Sequence, residues 1–429
     1  MPTPRGWTVA VTGVIILVVG TAFGATPLRQ LGFALTALVV IATGVVRHGR
    51  HELAASRTVN PGRARPGQTV TLDIVLRNEG KGPAPLLLLQ DRLPPGVSGS
   101  ARFALHGIEA AGSRSTSITL RAARRGRYAI GPLEISVVDP FGLARTMSRP
   151  SGTSELLIQP RMEALTLPRD VGERQSLATS AVKQPTGARG EDFYTLREYA
   201  DGDDLRRVHW PSTAKRGRFM IRQEETPWHT RATILLDDRT AAHEVRSGES
   251  SFECAVEAAA SVVDLYYRSG YGFRLLTAHN QGVAGGRGTD HWNRCLDALS
   301  EIEMPRAAPG DDALVLRLTE IEKARSPEAA LVLVVGTLSA AEAVAVARCG
   351  RRFKQVTVVS FPAHRFAGKD TKTRWEAEGQ VVDAVKLMKG SQVRTVVLGP
   401  QESLAGAWSS LAAGRQRDEG AWGRRPELV

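Results

Sequence analysis

The stretch Gly187-Ala-Arg-Gly-Glu-Asp-Phe-Tyr-Thr-Leu-Arg-Glu-Tyr-Ala-Asp-Gly-Asp-Asp-Leu-Arg-Arg-Val-His-Trp210 separates two halves of the chain that are built on different patterns. Within it six carboxylates (Glu191, Asp192, Glu198, Asp201, Asp203, Asp204) alternate with four arginines (Arg189, Arg197, Arg206, Arg207) and with Phe193, Tyr194, Tyr199, Val208 and Trp210. Charges beside buried aromatics must be paired or hydrogen-bonded. The stretch is therefore expected to be a partly buried polar junction. Arg197, Glu198, Asp203, Asp204 and Arg206 would form a charge-paired platform, with Tyr199 and Trp210 as buried anchors. Its exposed parts would offer a docking surface, since Tyr, Trp and Arg dominate binding hot spots.

Upstream, two apolar runs come first, Trp7 to Ala25 and Leu31 to Val46, neither containing a charge. A bilayer core needs about 20 apolar residues per helix, so two antiparallel membrane helices are expected, with Thr26-Pro27-Leu28-Arg29-Gln30 as the turn. No small-residue cleavage site precedes a mature start, which argues against a signal peptide. Arg5 precedes the pair and Arg47, Arg50 and Arg57 follow it, against Arg29 alone in the turn. By the positive-inside rule both ends face the cytoplasm, giving a two-pass plasma-membrane protein. After His51 short alternating runs follow, at Thr69–Arg77, Pro85–Gln90, Ser115–Ala122, Tyr128–Ile130, Leu133–Val138 and Glu155–Ile158. Such runs, punctuated by turn residues and without helices between them, predict an antiparallel sandwich of immunoglobulin-like type.

Downstream the pattern is that of strands alternating with helices. Strands are expected at Arg231–Asp237, Tyr271–Ala278, Ala329–Val335, Gln355–Phe361 and Val393–Leu398. Helices are expected at Ser250–Arg268, His291–Ile302, Asp311–Lys323, Arg374–Met388 and Ser403–Ala413, with one more opened by the capping box Ser339-Ala-Ala-Glu342. Near-continuous Val/Leu/Ile strands separated by helices indicate a mainly parallel sheet covered on both faces. The expected order is thus an anchor (1–50), a β-domain (51–160), a connector (161–186), the central motif (187–228) and an α/β domain (229–429).

The formal net charge of the 429 residues is +12. Met1 to Thr186 carry 22 Lys or Arg against 11 Asp or Glu, and the remainder 34 against 33. The basic excess lies beside the apolar runs, which favours an anionic leaflet over nucleic acid as its counterpart. The arginine run Arg121, Arg124, Arg125 and Arg127 has no interleaved aromatics for base stacking. No nucleic-acid partner is expected. Cys254, Cys295 and Cys349 have no metal-ligand spacing and read as reduced, buried thiols.

The run Gly187-x-x-Gly190-x-Asp192-Phe193-x-x-Leu196-Arg197-Glu198-Tyr199-x-x-Gly202-Asp203-Asp204-x-Arg206-x-Val208-x-Trp210, then Ala214 and Gly217, resembles the central motif of the bacterial family known as domain of unknown function 58. Arg124-Arg125-Gly126-Arg127-Tyr128, Gly131-Pro132-Leu133 and Asp139-Pro140-Phe141-Gly142-Leu143 resemble the segment these proteins carry upstream. The resemblance implies an α/β portion similar to von Willebrand factor type A domains, whose metal site uses Asp-x-Ser-x-Ser after the first strand. Here that site reads Asp237-Asp238-Arg239-Thr240-Ala241. Asp237 matches the acid, Arg239 and Ala241 replace the serines, and Val335-Gly336-Thr337 supplies no acid. A hard cation needs several oxygen ligands, so a degenerate site is expected, with no metal and no cofactor. Asp237 would instead partner Arg239 or a helix N-terminus.

Catalytic readings of the motif are weaker. Two of its carboxylates would have to act as acid and base, or His209 as base to Ser212, which has no oxyanion-hole glycines around it. Gly187 and Gly190 lack the Gly-Lys-Ser/Thr ending of a phosphate loop, and no glutamate closes Asp201-Gly-Asp-Asp as a calcium loop. What the resemblance implies is an adaptor working beside a MoxR-type AAA ATPase in chaperone-like assembly at the cell envelope. The alternative is an enzyme on an envelope-linked substrate that uses the central carboxylates.

Overall fold

The computed structural model describes residues 1–48, 53–80, 82–84, 87–105, 107–148, 152–167, 194–198, 208–224, 231–244, 250–279, 282–305, 312–324, 329–367, 371–391 and 393–412. The chain divides into two compact units, Met1–Arg161 with Leu299–Glu301, and Met162–Ala298 with Ile302–Val429.

The first unit opens with helices α1 (Pro4–Ala22) and α2 (Thr26–His48). Thr3 caps α1 by accepting from the Gly6 amide at 3.0 Å, and Pro4 follows with its φ already set for a helix. The buried residues of α1 are Gly6, Gly13 and Gly20, one every second turn. A Cβ on Gly13 would lie 2.7 Å from Thr36 Oγ1, and one on Gly32 2.5 Å from the Leu17 amide nitrogen. The two helices thus meet backbone to backbone, an approach only the smallest residues permit. Both are long and apolar enough to cross a membrane, with mean hydropathy 1.6 and 1.7. The reversal differs from the expected one. Residues Thr26 to Gln30 already belong to α2, because Pro27 fits a first helical turn. The chain turns at Phe23-Gly24-Ala25, where Gly24 takes a left-handed φ of +67°.

Eleven strands follow: β1 (Leu53–Asn60), β2 (Arg63–Ala64), β3 (Thr69–Asn78), β4 (Leu87–Asp91), β5 (Val97–Gly99), β6 (Arg102–Leu105), β7 (Ser113–Ala122), β8 (Gly126–Ile130), β9 (Leu133–Val138), β10 (Arg145–Ser148) and β11 (Ser154–Ile158). Two four-stranded antiparallel sheets run β1-β3-β7-β5 and β10-β9-β4-β6, and a third runs β2-β11-β8 with β2 parallel to β11. Alternation works as expected along β3, where Val70, Leu72, Ile74 and Leu76 are all fully buried. They share one core with Leu87, Leu89, Leu120, Ile130 and Ile135. The short or polar strands β1, β2, β5, β6 and β10 fall outside the runs read from sequence. In β1 the pattern is broken because Arg57 turns inward, its guanidinium 2.6 Å from Asp91 with both side chains buried.

In the second unit, β12 (Tyr194–Glu198) pairs antiparallel with β13 (Met220–Glu224), and α3 (Trp210–Arg216) precedes β13. The six-stranded sheet comprises β14 (Arg231–Leu236), β15 (Gly272–Thr277), β16 (Val283–Gly286), β17 (Ala330–Val335), β18 (Gln355–Ser360) and β19 (Val393–Val397). Its spatial order is β16-β15-β14-β17-β18-β19, parallel except for the edge strand β16. Strand β16 went unread because two of its four residues are glycines. Helices α4 (Ser251–Arg268), α5 (Gly288–Glu301), α6 (Ala313–Lys323), α7 (Ala340–Gly350), α8 (Ala363–Phe366), α9 (Thr371–Lys389) and α10 (Leu404–Ala412) connect or follow the strands. In α4 the expected face of Phe252, Val256, Ala259, Val263 and Tyr266 is buried. Cys295 and Cys349 are buried free thiols, pushed by burial up to about 12 and about 11, whereas Cys254 is only partly buried, contrary to expectation.

Candidate functional site

The sheet order is that of a doubly wound fold, counting 3-2-1-4-5-6 from β14 as its first strand. In such sheets the connections leave toward opposite faces at one point, and the crevice there, outside the strands' carboxyl ends, is where ligands bind. That point lies between β14 and β17. The residues following β14 are Asp237, Asp238 and Arg239, and those following β17 are Gly336 to Glu342.

The chain fills this place with its own ions. Arg239 donates from Nε to Asp237 Oδ1 and from Nη2 to Asp237 Oδ2, each at 2.9 Å. Its Nη1 donates to Glu342 Oε1 on α7. Asp237 is fully buried, and Arg239 and Glu342 are 4% and 8% exposed. Burial alone would lower the Arg239 pKa, but the hydrogen bonds and charges of Asp237 and Glu342 outweigh it and drive it upward. The expected Asp237–Arg239 pair is therefore present. Glu342 is the residue that sequence reasoning assigned only half its role. It closes the capping box with Ser339, its Oε2 accepting the Ser339 amide at 2.8 Å, while Oε1 faces Arg239. Its second role was legible only through the convergence of strand ends.

Around this triad the loops are sealed. A Cβ on Gly336 would fall 2.0 Å from the Ala242 carbonyl oxygen, which accepts from the Thr337 amide at 2.8 Å. His243 is buried and its pKa is lowered by desolvation above all, so the ring is neutral near pH 7. Nε2 lies 2.8 Å from the Asp237 carbonyl oxygen and Nδ1 lies 3.1 Å from Ser251 Oγ. A carbonyl only accepts, so the proton is on Nε2 and Ser251 donates to Nδ1. Ser251 Oγ in turn accepts from the Glu244 amide at 2.9 Å. Ser251 is fully buried, so this Ser–His contact ties α4 to the strand end and presents no nucleophile. Beside it Asp238 accepts from His279, from the ring Nδ1 at 2.9 Å and the backbone amide at 3.1 Å. Among the described residues no group of three His, Cys, Asp or Glu is arranged to hold a metal ion.

Of the central motif, Asp192, Tyr199, Gly202, Asp203, Asp204 and Arg206 lie outside the described residues. Arg197 and Glu198 are on β12, in register with Ile221 and Met220 of β13. His209 is the N-cap of α3, its Nδ1 3.4 Å from the Ser212 amide nitrogen and 2.9 Å from Ser212 Oγ. Gly217 ends the helix with a φ of +67°, which explains a glycine at that place in the motif. Trp210 corrects the expectation of a buried anchor. It is 65% exposed, and its ring touches Phe219 edge-on with centroids 6.3 Å apart. The reason is its place as the first residue of a short helix that buries none of its residues. Among the described residues of the motif, Val208 and Met220 are buried.

Among curated proteins none matches this chain. Three solved structures illustrate the structural likenesses. The Pseudomonas fluorescens alkylpurine DNA glycosylase AlkC, bound to abasic-site DNA, is 13% identical over 31% of this chain and 38% of its own, with a TM-score of 0.17. The CARDB domain of the PF1109 protein from Pyrococcus furiosus is 8% identical over 25% of this chain and 88% of its own, TM-score 0.20. The human seminal-plasma complex of zinc 2-glycoprotein and prolactin inducible protein gives 12% identity over 26% of this chain and 98% of the matched one, TM-score 0.19. Likenesses this weak carry no argument. Residues 195–363, from β12 into α8 and including the whole buried triad, match the family described as Protein of unknown function DUF58. This segment of the chain belongs to the domain of unknown function 58 family.

Proposed function

We propose that this protein is a membrane-anchored adaptor that acts by binding other proteins, with a MoxR-type AAA ATPase as its partner in chaperone-like assembly at the cell envelope. In this reading α1 and α2 cross the plasma membrane, and both termini and both folded units lie in the cytoplasm. The β-strands of the first unit form an immunoglobulin-like sandwich, and the second unit is von Willebrand A-like with its metal position given over to Arg239. The observation that carries the reading is that triad. Where a doubly wound sheet would take a small ligand, Arg239 holds both oxygens of Asp237 and one of Glu342. A crevice satisfied from within leaves the outer surface, including the exposed Trp210 and Phe219 of the family motif, as the place for recognition.

The test is affinity capture of the full-length protein from its native membrane, beside Trp210→Ala and Arg197→Ala variants. Trp210 is exposed, so its removal leaves the fold intact. An AAA ATPase captured by the native chain and lost with Trp210→Ala supports the adaptor. Equal capture by both, or no ATPase with either, removes the reading.

A further inference from the structure

The first three residues of the chain form part of its β-structure. Met1 donates its amino group to the Arg145 carbonyl at 2.7 Å, and its own carbonyl accepts from the Arg145 amide at 2.9 Å. Pro2 forms a β-bridge with Ala144. The Thr3 amide donates to the Leu143 carbonyl at 2.8 Å, and Thr3 Oγ1 donates to the Gly142 carbonyl at 2.6 Å while capping α1. Helix α1 starts at the next residue. One residue spans at most about 3.6 Å, so no linker separates the turn Asp139-Pro-Phe-Gly-Leu-Ala144 from the helix.

The contact continues up the helices. A Cβ on Gly6 would lie 2.0 Å from the Leu143 carbonyl oxygen. Leu143 and Ala144 are buried in one cluster with Val39, Ala42 and Val46 of α2, against which Val9 and Ala10 of α1 pack. The turn is braced from within, the buried Asp139 carboxylate accepting from the Phe141 and Ala144 amides. This bracing turns Phe141 outward, where it is 67% exposed.

We infer that the Asp139–Ala144 turn is a membrane-surface contact, with Phe141 seated in the headgroup layer of an anionic phospholipid leaflet. The inference rests on the reading that α1 and α2 cross the membrane. The 19 residues of α1 rise about 28 Å at 1.5 Å each, close to the roughly 30 Å of a hydrocarbon core. The helix has no length to spare, so Gly6 lies at the hydrocarbon edge and carries Leu143 there. Phe141, two residues earlier, then falls in the interfacial layer where amphipathic and aromatic side chains settle. Arg5, Arg47 and Arg145, all exposed, are on the three segments that meet here, and their charge fits acidic headgroups.

The test uses the full-length chain with Cys254 replaced by Ser, reconstituted in vesicles of phosphatidylcholine and phosphatidylglycerol. One added cysteine at a time, at Phe141, Val14 or Lys386, carries a nitroxide label, Cys295 and Cys349 being buried, and the label's accessibility to oxygen and to a nickel chelate reports depth. Val14 reads the spanning helix, and Lys386, an exposed residue of α9, reads bulk water. The inference expects an oxygen-to-nickel ratio at Phe141 several-fold above that at Lys386 and below that at Val14. A ratio equal to that at Lys386, with Val14 in lipid, overturns the inference and leaves the spanning reading standing. An aqueous Val14 overturns both.

Discussion

The guanidinium of Arg239 takes both carboxylate oxygens of Asp237, two residues before it, at 2.9 Å each. The geometry is the bidentate fork that Arg makes and Lys cannot. It stands at the carboxyl end of the central strand, the position from which a doubly wound sheet usually addresses a ligand. Removing one partner from a buried ionic group costs about 3–5 kcal/mol, because the other charge is left without compensation.

Arg239→Met should therefore lower the thermal midpoint of the detergent-solubilised protein by roughly 10 °C, at about 2–4 °C per kcal/mol for a domain of this size. Pairing it with Asp237→Asn should recover about 1–3 kcal/mol, since contacting residues couple. Strictly additive losses would mean that the two side chains do not depend on each other.

Stability should decline as the pH drops through the ordinary histidine range. His243 is held below its usual 6.5 by burial, so below that pH the unfolded chain binds a proton that the folded chain refuses. The midpoint is expected to fall less steeply between about pH 7 and pH 5 for His243→Gln than for the native chain. Parallel slopes would place the titration elsewhere.

A second acid-sensitive contact is made by α8, which follows β18. Burial alone would raise the Glu378 carboxyl, but hydrogen bonds from His364 and Arg365, at 2.6 Å each, and the Arg365 charge hold it at about 2. A depressed carboxyl stabilises the fold above its unfolded value of 4.5, and that stabilisation is lost as the pH falls toward 2. Glu378→Gln should flatten the acid limb of the stability curve within that window. An unchanged limb would show that the carboxylate contributes nothing there.

Trp408 and Trp210, both in the second unit, should behave oppositely. Trp408 is 2% exposed and its Nε1 donates to the Thr166 carbonyl at 2.8 Å, so Trp408→Ala should cost about 3–5 kcal/mol. Trp210→Ala, at an exposed helix start, should stay within about 0.5 kcal/mol. Denaturation of both variants decides the matter, and equal losses would contradict the exposure of Trp210.

Two glycines of α2 offer a like-for-like comparison. A Cβ at Gly32 meets the α1 backbone at 2.5 Å, whereas at Gly44 nothing lies within 4 Å. Gly32→Ala should lower the thermal midpoint in detergent and Gly44→Ala should hold or raise it by the better helix propensity of alanine, about 1 kcal/mol. The reverse order would mean that α1 and α2 do not touch at Gly32.

Sequence by itself determined the element types wherever one physical pattern ran uninterrupted. Unbroken apolar runs specified α1 and α2, strict alternation specified β3, and continuous Val/Leu/Ile runs between helical periods specified the parallel strands from β14 to β19. The capping box at Ser339 and Glu342 and the pairing of Asp237 with Arg239 were legible for the same reason, since each joins residues within three positions. Only the tertiary structure decided what depends on distant segments. It brought Glu342 to Arg239 across 103 positions because β14 and β17 are neighbours in the sheet. It turned Arg57 inward to Asp91, hiding β1 from a pattern that counts apolar residues. It left Trp210 in solvent, because composition says that an aromatic wants burial but not whether a short helix offers it a face to bury. It also tied Met1, Pro2 and Thr3 to the turn before β10, a contact made by backbone groups that every residue carries and that therefore leaves no mark in the order of side chains.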